Sequence, residues 1–214
     1  MDRVQQNAGT AGLVTAALLA ALFLVILSTG LTPQTASDPD KAITLLKQKA
    51  SAFGTIGVLG ALASAFGLIF SIGLFSRLRD RAPTRAAASL GFALVGLSGH
   101  ALGALILWRG GALIVAVSAR DQVAANHAWI AASAVAQGLD GLGNAFTGAS
   151  ILVAGWAIVA TGAMNGSLGW LAVVAGAVTL LQLLSPAPVL FLIGFLLTIV
   201  WLAWGGSQLR QSTA

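Results

Sequence analysis

The sequence contains no cysteine and no tyrosine among its 214 residues, its acidic residues are all aspartate, and only 8% of the chain is charged. The absence of cysteine excludes disulfides, thiolate metal sites and cysteine nucleophiles. Two histidines and no glutamate also exclude histidine-rich metal centres, so no metal site is expected. A chain this poor in ionisable groups can support only limited acid–base chemistry.

Six long apolar runs dominate the sequence, which is 57% hydrophobic. Soluble domains carry about 25% charged residues, so the bilayer must act as the solvent for much of this chain. A helix needs about 20 apolar residues to cross the hydrocarbon core. The sequence therefore predicts an all-α, multi-pass membrane protein in which residues 1–214 form a single six-helix bundle. The predicted spans cover about 10–31, 52–75, 86–108, 138–161, 168–184 and 188–204.

The connections between the spans carry further signals. Asp38 followed by Pro39 marks a helix start, because aspartate caps a helix and proline fits its first turn. Apolar residues at helical spacing follow, which predicts a short interfacial helix after span one. Residues 110–137 are predicted as a loop with a surface or re-entrant helix, since two glycines interrupt the apolar run there. Residues 185–188 predict a tight turn between spans five and six.

The charge distribution predicts the orientation in the membrane. Short cytoplasmic loops carry an excess of lysine and arginine, and one short connection holds four arginines. With an even number of spans, both termini then lie on the cytoplasmic side of a bacterial inner membrane. These residues are predicted to be a cytoplasmic anchor and give no indication of nucleic-acid binding: Arg77, Arg79, Arg81 and Arg85.

Aromatic residues at the span ends are typical of an interfacial belt, in which indole rings lie at the level of the lipid headgroups. Five tryptophans lie close to predicted span ends and are expected to belong to such a belt. They are Trp108, Trp129, Trp170, Trp201 and Trp204.

Three stretches carry a resemblance to a known family. They are Asp38-Pro39-Asp40, the arginine-rich connection 77–85, and the glycine- and tryptophan-containing pattern 144–184. With these stretches the chain resembles a family of uncharacterised bacterial inner-membrane proteins with six transmembrane helices, classed as a domain of unknown function. The resemblance covers most of the chain and implies a six-span bundle. It implies no reaction and no site residues.

Polar residues inside the spans are the candidates for a site, because ionisable groups are costly in the bilayer and usually have a partner or a purpose. His100 in span three and Asp140 at the start of span four fall at similar predicted depths, near the outer face. They predict either an outward-opening polar pocket or a structural contact that joins the two spans; Asp140 in the interfacial water is a third alternative. The predicted ligand-binding residues are His100, Asp140, Asn144 and Gln182, with Arg109 at the mouth.

Small residues surround His100 in span three. Gly99 and Gly103 form a GxxxG pair, which predicts close helix packing within the bundle. Gly96 and Ala104 stand one turn before and after His100, an arrangement that would also leave room for a haem- or chlorophyll-like macrocycle ligated by the imidazole. A macrocycle on His100 is therefore one cofactor hypothesis.

The composition favours a non-enzymatic integral membrane protein, with the lipid bilayer and a membrane-protein subunit as partners. Its predicted role is an accessory or assembly subunit of a larger membrane complex; the alternative is a small-molecule or pigment-binding protein or a simple transporter that uses the pocket. An enzyme is a third reading, because residues 96–99 match the G-x-S-G string of rhomboid proteases. A serine nucleophile needs a histidine base, and no histidine follows His127 to serve Ser98 in the rhomboid order.

Overall fold

The structure, a computed structural model, describes residues 2–30, 32–185 and 187–211, and the described residues are helical apart from short connections, with no strand. The predicted end of span one at residue 31 and Pro186 of the predicted turn lie outside the described residues. The helices in these ranges are α1 (Asp2–Thr29), α2 (Pro33–Ser37), α3 (Pro39–Gln48), α4 (Ala50–Leu78), α5 (Pro83–Leu105), α6 (Gly111–Ser118), α7 (Gln122–Thr161), α8 (Gly166–Leu184) and α9 (Pro188–Gln211).

Six helical segments of the described chain are long and apolar enough to cross a membrane, which confirms the prediction of an all-helical protein with six candidate spans. They are α1, α4, α5 together with α6, α7, α8 and α9. Each packs against the next in this order, and α9 packs back against α1. The long helices therefore form a closed ring, in which every helix has its neighbours in the chain as its neighbours in space.

Glycines allow the helices of the ring to approach closely. A Cβ atom on Gly99 of α5 would lie 2.8 Å from the carbonyl oxygen of Leu139 in α7. A Cβ atom on Gly155 of α7 would lie 2.6 Å from the carbonyl oxygen of Gly169 in α8. The hydrophobic effect does not hold helices together in lipid, because the lipid tails are as apolar as the side chains. Close packing of the backbones stabilises the association of the helices instead. The predicted role of Gly99 in helix packing is confirmed.

The prediction of residues 110–137 as a loop with a surface or re-entrant helix is wrong in its loop part, because only 119–121 of these residues lie outside a helix. A π-helical turn, Ile106–Gly110, joins α5 directly to α6, and α7 begins at Gln122. Helix α7 has 40 residues and is about 60 Å long, so it extends well beyond a hydrocarbon core of about 30 Å. Gly111 does not break the helix, because it is buried where the Leu46 side chain of α3 packs against it.

The extended parts of α6 and α7 form a separate small core with α3. We call this part of the molecule the cap: α2, α3, α6 and residues 122–136 of α7. Its core contains Ile43 and Leu46 from α3, Ile114 from α6 and Trp129 from α7. The apolar face of α3 is thus covered by protein, and the Trp129 indole N–H donates to the carbonyl of Ala36 at 3.1 Å.

Asp38 and Pro39 begin α3 as predicted. The Asp38 carboxylate accepts from the Lys41 backbone N–H at 3.2 Å and pairs with the Lys41 ammonium at 2.9 Å. These contacts, the side-chain one first, lower the pKa of Asp38, and the same pairing raises the pKa of Lys41. Asp40 of α3 also connects α3 to α7, because its carboxylate accepts hydrogen bonds from the side-chain amides of Gln122 and Asn126.

At the other end of the ring, which we call the arginine end, the turn between α4 and α5 meets the turn between α7 and α8. Arg77 Nε donates to the carbonyl of Ala163 at 3.2 Å, and Arg81 donates to the carbonyl of Gly162 at 3.3 Å. Basic side chains at a helix C-terminus donate to the last carbonyls of the helix and interact favourably with the negative end of its dipole. Arg85 lies 5.6 Å from the Trp156 ring centroid, and Arg79 pairs with Asp80.

The five tryptophans predicted as an interfacial belt divide into two groups. Trp129 and Trp201 are only 4% and 5% exposed, because the first fills the cap core and the second packs inside the ring. The belt prediction is wrong for these two residues. Trp170 and Trp204 are exposed on the surface, whereas Trp108 packs against Gly57 of α4.

Candidate functional site

A central cavity of about 220 Å³ lies inside the ring. All six long helices contribute to its wall, which runs from the level of Thr15 and Leu202 to the level of Ile26, Ile56 and Phe191. Ile26, Ile56 and Phe191 lie farther from the arginine end than Thr15 and Leu202 do. The cavity therefore occupies the half of the ring that faces the cap.

The deep end of the cavity is aromatic. Phe70 of α4 and Trp201 of α9 meet edge to face, with ring centroids 5.2 Å apart, and both line the wall. Trp201 Nε1 is buried and has no hydrogen-bond partner among the described residues. Thr147 Oγ1, also buried without a partner there, lies against Gly96 in the contact between α5 and α7. Both residues line the cavity.

The hydroxyl groups of the wall are mostly satisfied by their own helices. Each donates to the carbonyl four residues earlier, for example Thr198 to Gly194 at 2.8 Å. A hydroxyl bonded in this way presents little polarity to a ligand. The wall is therefore effectively apolar at these residues: Thr15, Ser64, Ser71, Thr179 and Thr198.

The end of the cavity nearer the cap is polar. His100 of α5 and Asn144 of α7 both line it, and both bind the carboxylate of Asp140. His100 Nδ1 lies 2.8 Å from Asp140 Oδ1, and Asn144 Nδ2 lies 3.2 Å from Asp140 Oδ2. Asp140 and Asn144 stand four residues apart on α7 and so share one helix face. The structure thus brings together three of the five residues that the sequence predicted.

An ionised Asp140 carboxylate only accepts, so the His100 Nδ1–H and one amide N–H of Asn144 donate to it. The Asn144 amide keeps its oxygen as an acceptor and its second N–H as a donor, and the role of His100 Nε2 follows from the tautomer of the ring. These remaining groups have no hydrogen-bond partner in the described part of the chain.

Gln182 of α8 lines the same cavity from another side. Its amide nitrogen donates to the carbonyl of Leu190 in α9 at 3.1 Å. The amide oxygen and the second amide N–H of Gln182 are the groups that this bond leaves over. Gln182 shares the cavity with His100 and Asn144, and we find no direct hydrogen bond to them among the described residues.

Two predicted site residues lie outside the cavity wall. Asp140 has a side chain that is 58% exposed, and it reaches the cavity only through the side chains it holds. Arg109 is exposed, with its guanidinium 5.7 Å from the centroid of the neighbouring Trp108 ring. Neither belongs to the described residues that line the cavity, so the placement of Arg109 at its mouth is not supported.

Gly143 of α7 sets the position of the imidazole. A Cβ atom there would lie 2.7 Å from His100 Nδ1 and 2.9 Å from His100 Cγ. The ring therefore packs flat on the α7 backbone, one turn from Asp140. The predicted contact that joins spans three and four is present, and the same contact leaves part of His100 facing the cavity.

The small residues one turn before and after His100 pack against neighbouring helices. A Cβ atom on Gly96 would lie 2.6 Å from the backbone nitrogen of Thr147, and Ala104 faces Gly60 of α4. These small residues serve helix packing, and the cavity is much smaller than a porphyrin, so the structure offers no argument for a macrocycle on His100. Ser98, two residues from His100, is exposed on a different face of α5.

Sequence reasoning missed the apolar part of the wall. Phe70, Trp201 and Leu97 lie in apolar helices, and nothing in their spacing separates a residue that faces a cavity from one that faces lipid. Two hydroxyl residues on one face of α4 were the available signal, since Ser64 and Ser71 stand seven residues apart and both line the cavity.

No family model, curated protein or solved structure matches this chain. The resemblance to six-helix inner-membrane proteins therefore stays a prediction. The fold and the cavity define a class by themselves, namely an all-helical protein with six helices long and apolar enough to cross a membrane, and with an internal cavity among them.

Proposed function

We propose that this protein spans a bacterial inner membrane six times as one bundle, with both termini and the arginine end in the cytoplasm. The positive-inside rule supports this orientation, because four arginines lie in or beside a single short turn. The cap then stands on the outer side, with α3 at the membrane interface. The cavity lies in the outer half of the bundle.

The absence of cysteine makes this orientation directly testable. Single cysteines introduced as Asp80→Cys and Arg120→Cys fall on exposed residues at the two ends of the molecule. A membrane-impermeant maleimide added to intact spheroplasts should label the second variant at least tenfold more than the first, and detergent should abolish the difference. Preferential labelling of Asp80→Cys would reverse the orientation. The wild-type chain gives the background, since it has no thiol.

For the function itself, we propose that the protein binds a small, largely apolar molecule in the central cavity. The observation that carries this proposal is a wall that all six long helices share, apolar at one end and polar at the other. A cavity of about 150 Å³ holds benzene, so this one suits a molecule of about ten non-hydrogen atoms. Such a combination of apolar lining and few polar groups is typical of ligand sites.

A side chain that fills the cavity should block binding. Leu97 lines the wall, whereas Leu94 on the same helix is 46% exposed on the outside of the ring. Leu97→Trp is expected to reduce the affinity for 1-(4-fluorophenyl)ethanol, which has ten non-hydrogen atoms, by about tenfold or more because overlap is costly. The measurement is a ¹⁹F NMR titration in lipid nanodiscs, with empty nanodiscs as the blank.

The control for this experiment is Leu94→Trp, which adds the same bulk to the lipid-facing side and should leave the affinity unchanged. Equal affinities in wild type and Leu97→Trp would show that the molecule binds elsewhere or only in the lipid. The accessory role in a larger complex stays a prediction, which native co-purification in mild detergent would test. No described contact favours it over ligand binding.

A further inference from the structure

The geometry points to a source for the ligand: we propose that the cavity takes up a lipophilic molecule dissolved in the membrane, through the seam between α1 and α9. This inference rests on the proposed function and deepens it, because it names the class of ligand and its route of entry. The feature that carries it is a group of three phenylalanine rings in this seam, which are Phe23, Phe191 and Phe195.

The way in which α1 and α9 are joined changes along the seam. Near the arginine end their backbones touch, because a Cβ atom on Gly9 would lie 2.5 Å from the carbonyl oxygen of Gly206, and one on Gly12 would lie 3.1 Å from the Gly206 Cα. Farther towards the cap the contact is between rings, and the centroids of Phe23 and Phe195 are 5.5 Å apart. Phe195 lines the cavity. At the level of the cavity, side chains therefore close the seam that backbone closes nearer the arginine end.

The wall of the cavity is thin at these rings. Phe195 packs on Phe191 with 5.8 Å between the ring centroids, and both residues line the cavity. Phe191 is nevertheless 44% exposed. Phe23 contacts Phe195 from the α1 side and is not among the described residues that line the cavity. A single layer of side chains thus separates the cavity from the outside of the ring at this point.

Backbone contacts close two other seams at the level of the cavity. A Cβ atom on Gly96 of α5 would lie 2.6 Å from the backbone nitrogen of Thr147 in α7, and Thr147 itself lines the cavity. A Cβ atom on Gly148 of α7 would lie 3.2 Å from the carbonyl oxygen of Gly176 in α8. Opening these seams requires two helices to separate, whereas an exposed side chain changes rotamer within nanoseconds. The seam between α1 and α9 therefore opens with less movement than these two.

The outside of the seam is apolar. Helix α1 has no charged residue after Arg3, and α9 has none before Arg210. The side chains of Leu24 and Leu192, each next to one helix's contribution to the seam, are exposed. Membrane helices that are apolar on all sides turn their outer surfaces to lipid. A molecule that reaches the rings from outside therefore comes from the lipid, and the ligand has to be one that partitions into the bilayer.

Truncation of Phe23 tests this route, because its ring closes the seam without forming part of the cavity wall. In lipid nanodiscs, ¹⁹F exchange NMR of 1-(4-fluorophenyl)ethanol gives the rates of entry and exit as well as the affinity. Phe23→Ala is expected to raise both rates by about two- to tenfold, as the loss of an aromatic pair implies, and to leave the affinity within about twofold. Phe23→Trp adds bulk at the same place and should lower both rates.

The matched control is Phe92→Ala. Phe92 of α5 pairs with Phe146 of α7 at 5.8 Å between the ring centroids, on a seam that glycines close. Neither ring is among the described residues that line the cavity. The control removes the same kind of pair, and both rates should stay as in the wild type.

A second measurement identifies the phase outside the seam. The chain has no cysteine of its own, so Phe23→Cys places a single thiol there. In nanodiscs, a membrane-impermeant maleimide should label it at least about tenfold more slowly than Arg120→Cys, because a thiol in apolar surroundings does not ionise readily. Equally fast labelling of the two thiols would show a water-filled entrance and overturn entry from the lipid.

The outcomes separate the inference from the proposed function. Unchanged rates in Phe23→Ala, or an equal rise in Phe92→Ala, would overturn the route while leaving a ligand-binding cavity in place. Failure of the probe to bind the wild type would overturn both proposals. Phe23→Trp serves the same purpose if the alanine variant does not fold, since unchanged rates in that variant would also overturn the route.

Discussion

Replacement of Gly143 by alanine is expected to lower the free energy of unfolding by about 1–3 kcal/mol, the usual cost of forcing extra volume into a packed interior. The added methyl group would lie 2.7 Å from His100 Nδ1 and 2.9 Å from Cγ, too close for the ring to stay in place. Asp140 holds the imidazole in this position at 2.8 Å. The variant therefore has to break this hydrogen bond or separate α5 from α7.

The measurement is equilibrium unfolding in mixed micelles as the fraction of denaturing detergent rises. Gly141→Ala is the matched control, because it lies on the same helix and a Cβ atom there meets nothing within 4 Å. Alanine favours a helix over glycine by about 1 kcal/mol, so the control should be neutral or slightly stabilised. Equal stability of the two variants would mean that the imidazole does not pack on Gly143 as the structure shows.

The second large effect is expected in the cap. Trp129→Ala removes a side chain that is almost fully buried and a hydrogen bond to the Ala36 carbonyl. Replacement of a buried tryptophan by alanine lowers the free energy of unfolding by about 3–5 kcal/mol. The cap has a small core, so we expect this loss to make the cap unfold locally while the ring stays folded. Amide hydrogen exchange in α3 and α6 should accelerate strongly, whereas exchange in α8 and α9 should not change.

Trp170→Ala provides the comparison, since Trp170 is 60% exposed on the surface of α8. Its loss should leave the cap unchanged and alter stability by less than about 0.5 kcal/mol. If the two variants gave the same exchange in α3, Trp129 would behave as a residue of the interfacial belt and the cap would not be a packed unit.

Both predictions concern contacts that hydropathy does not reveal. The six apolar runs were sufficient to predict the number of spans, because a helix in lipid must satisfy its own backbone and needs a fixed length of apolar residues. Asp38 and Pro39 were sufficient to predict the start of α3, since capping is a local property of the sequence. The arginine-rich turn was equally visible, although its contacts with the end of α7 were not.

The candidate site was predicted in part. Helical spacing placed Asp140 and Asn144 on one face, and similar depth placed His100 beside them. Arg109 was misplaced because depth along a helix says nothing about direction around it. The helical extension over 111–137 was missed because Gly110 and Gly111 signal a break, and only packing against α3 and the π-helical turn before Gly111 shows that the helix continues.

The sequence by itself determined an all-helical membrane chain with six spans, a capped helix after the first span and a polar stripe on the fourth. These features depend on local composition and periodicity. Only the tertiary structure decided that the helices close into a ring, that the ring encloses a cavity with Phe70 and Trp201 at one end, and that Asp140 binds His100 and Asn144 at the other. These features depend on which side of each helix faces its neighbours, and in a chain whose helices are apolar on all sides the side chains alone do not specify that side.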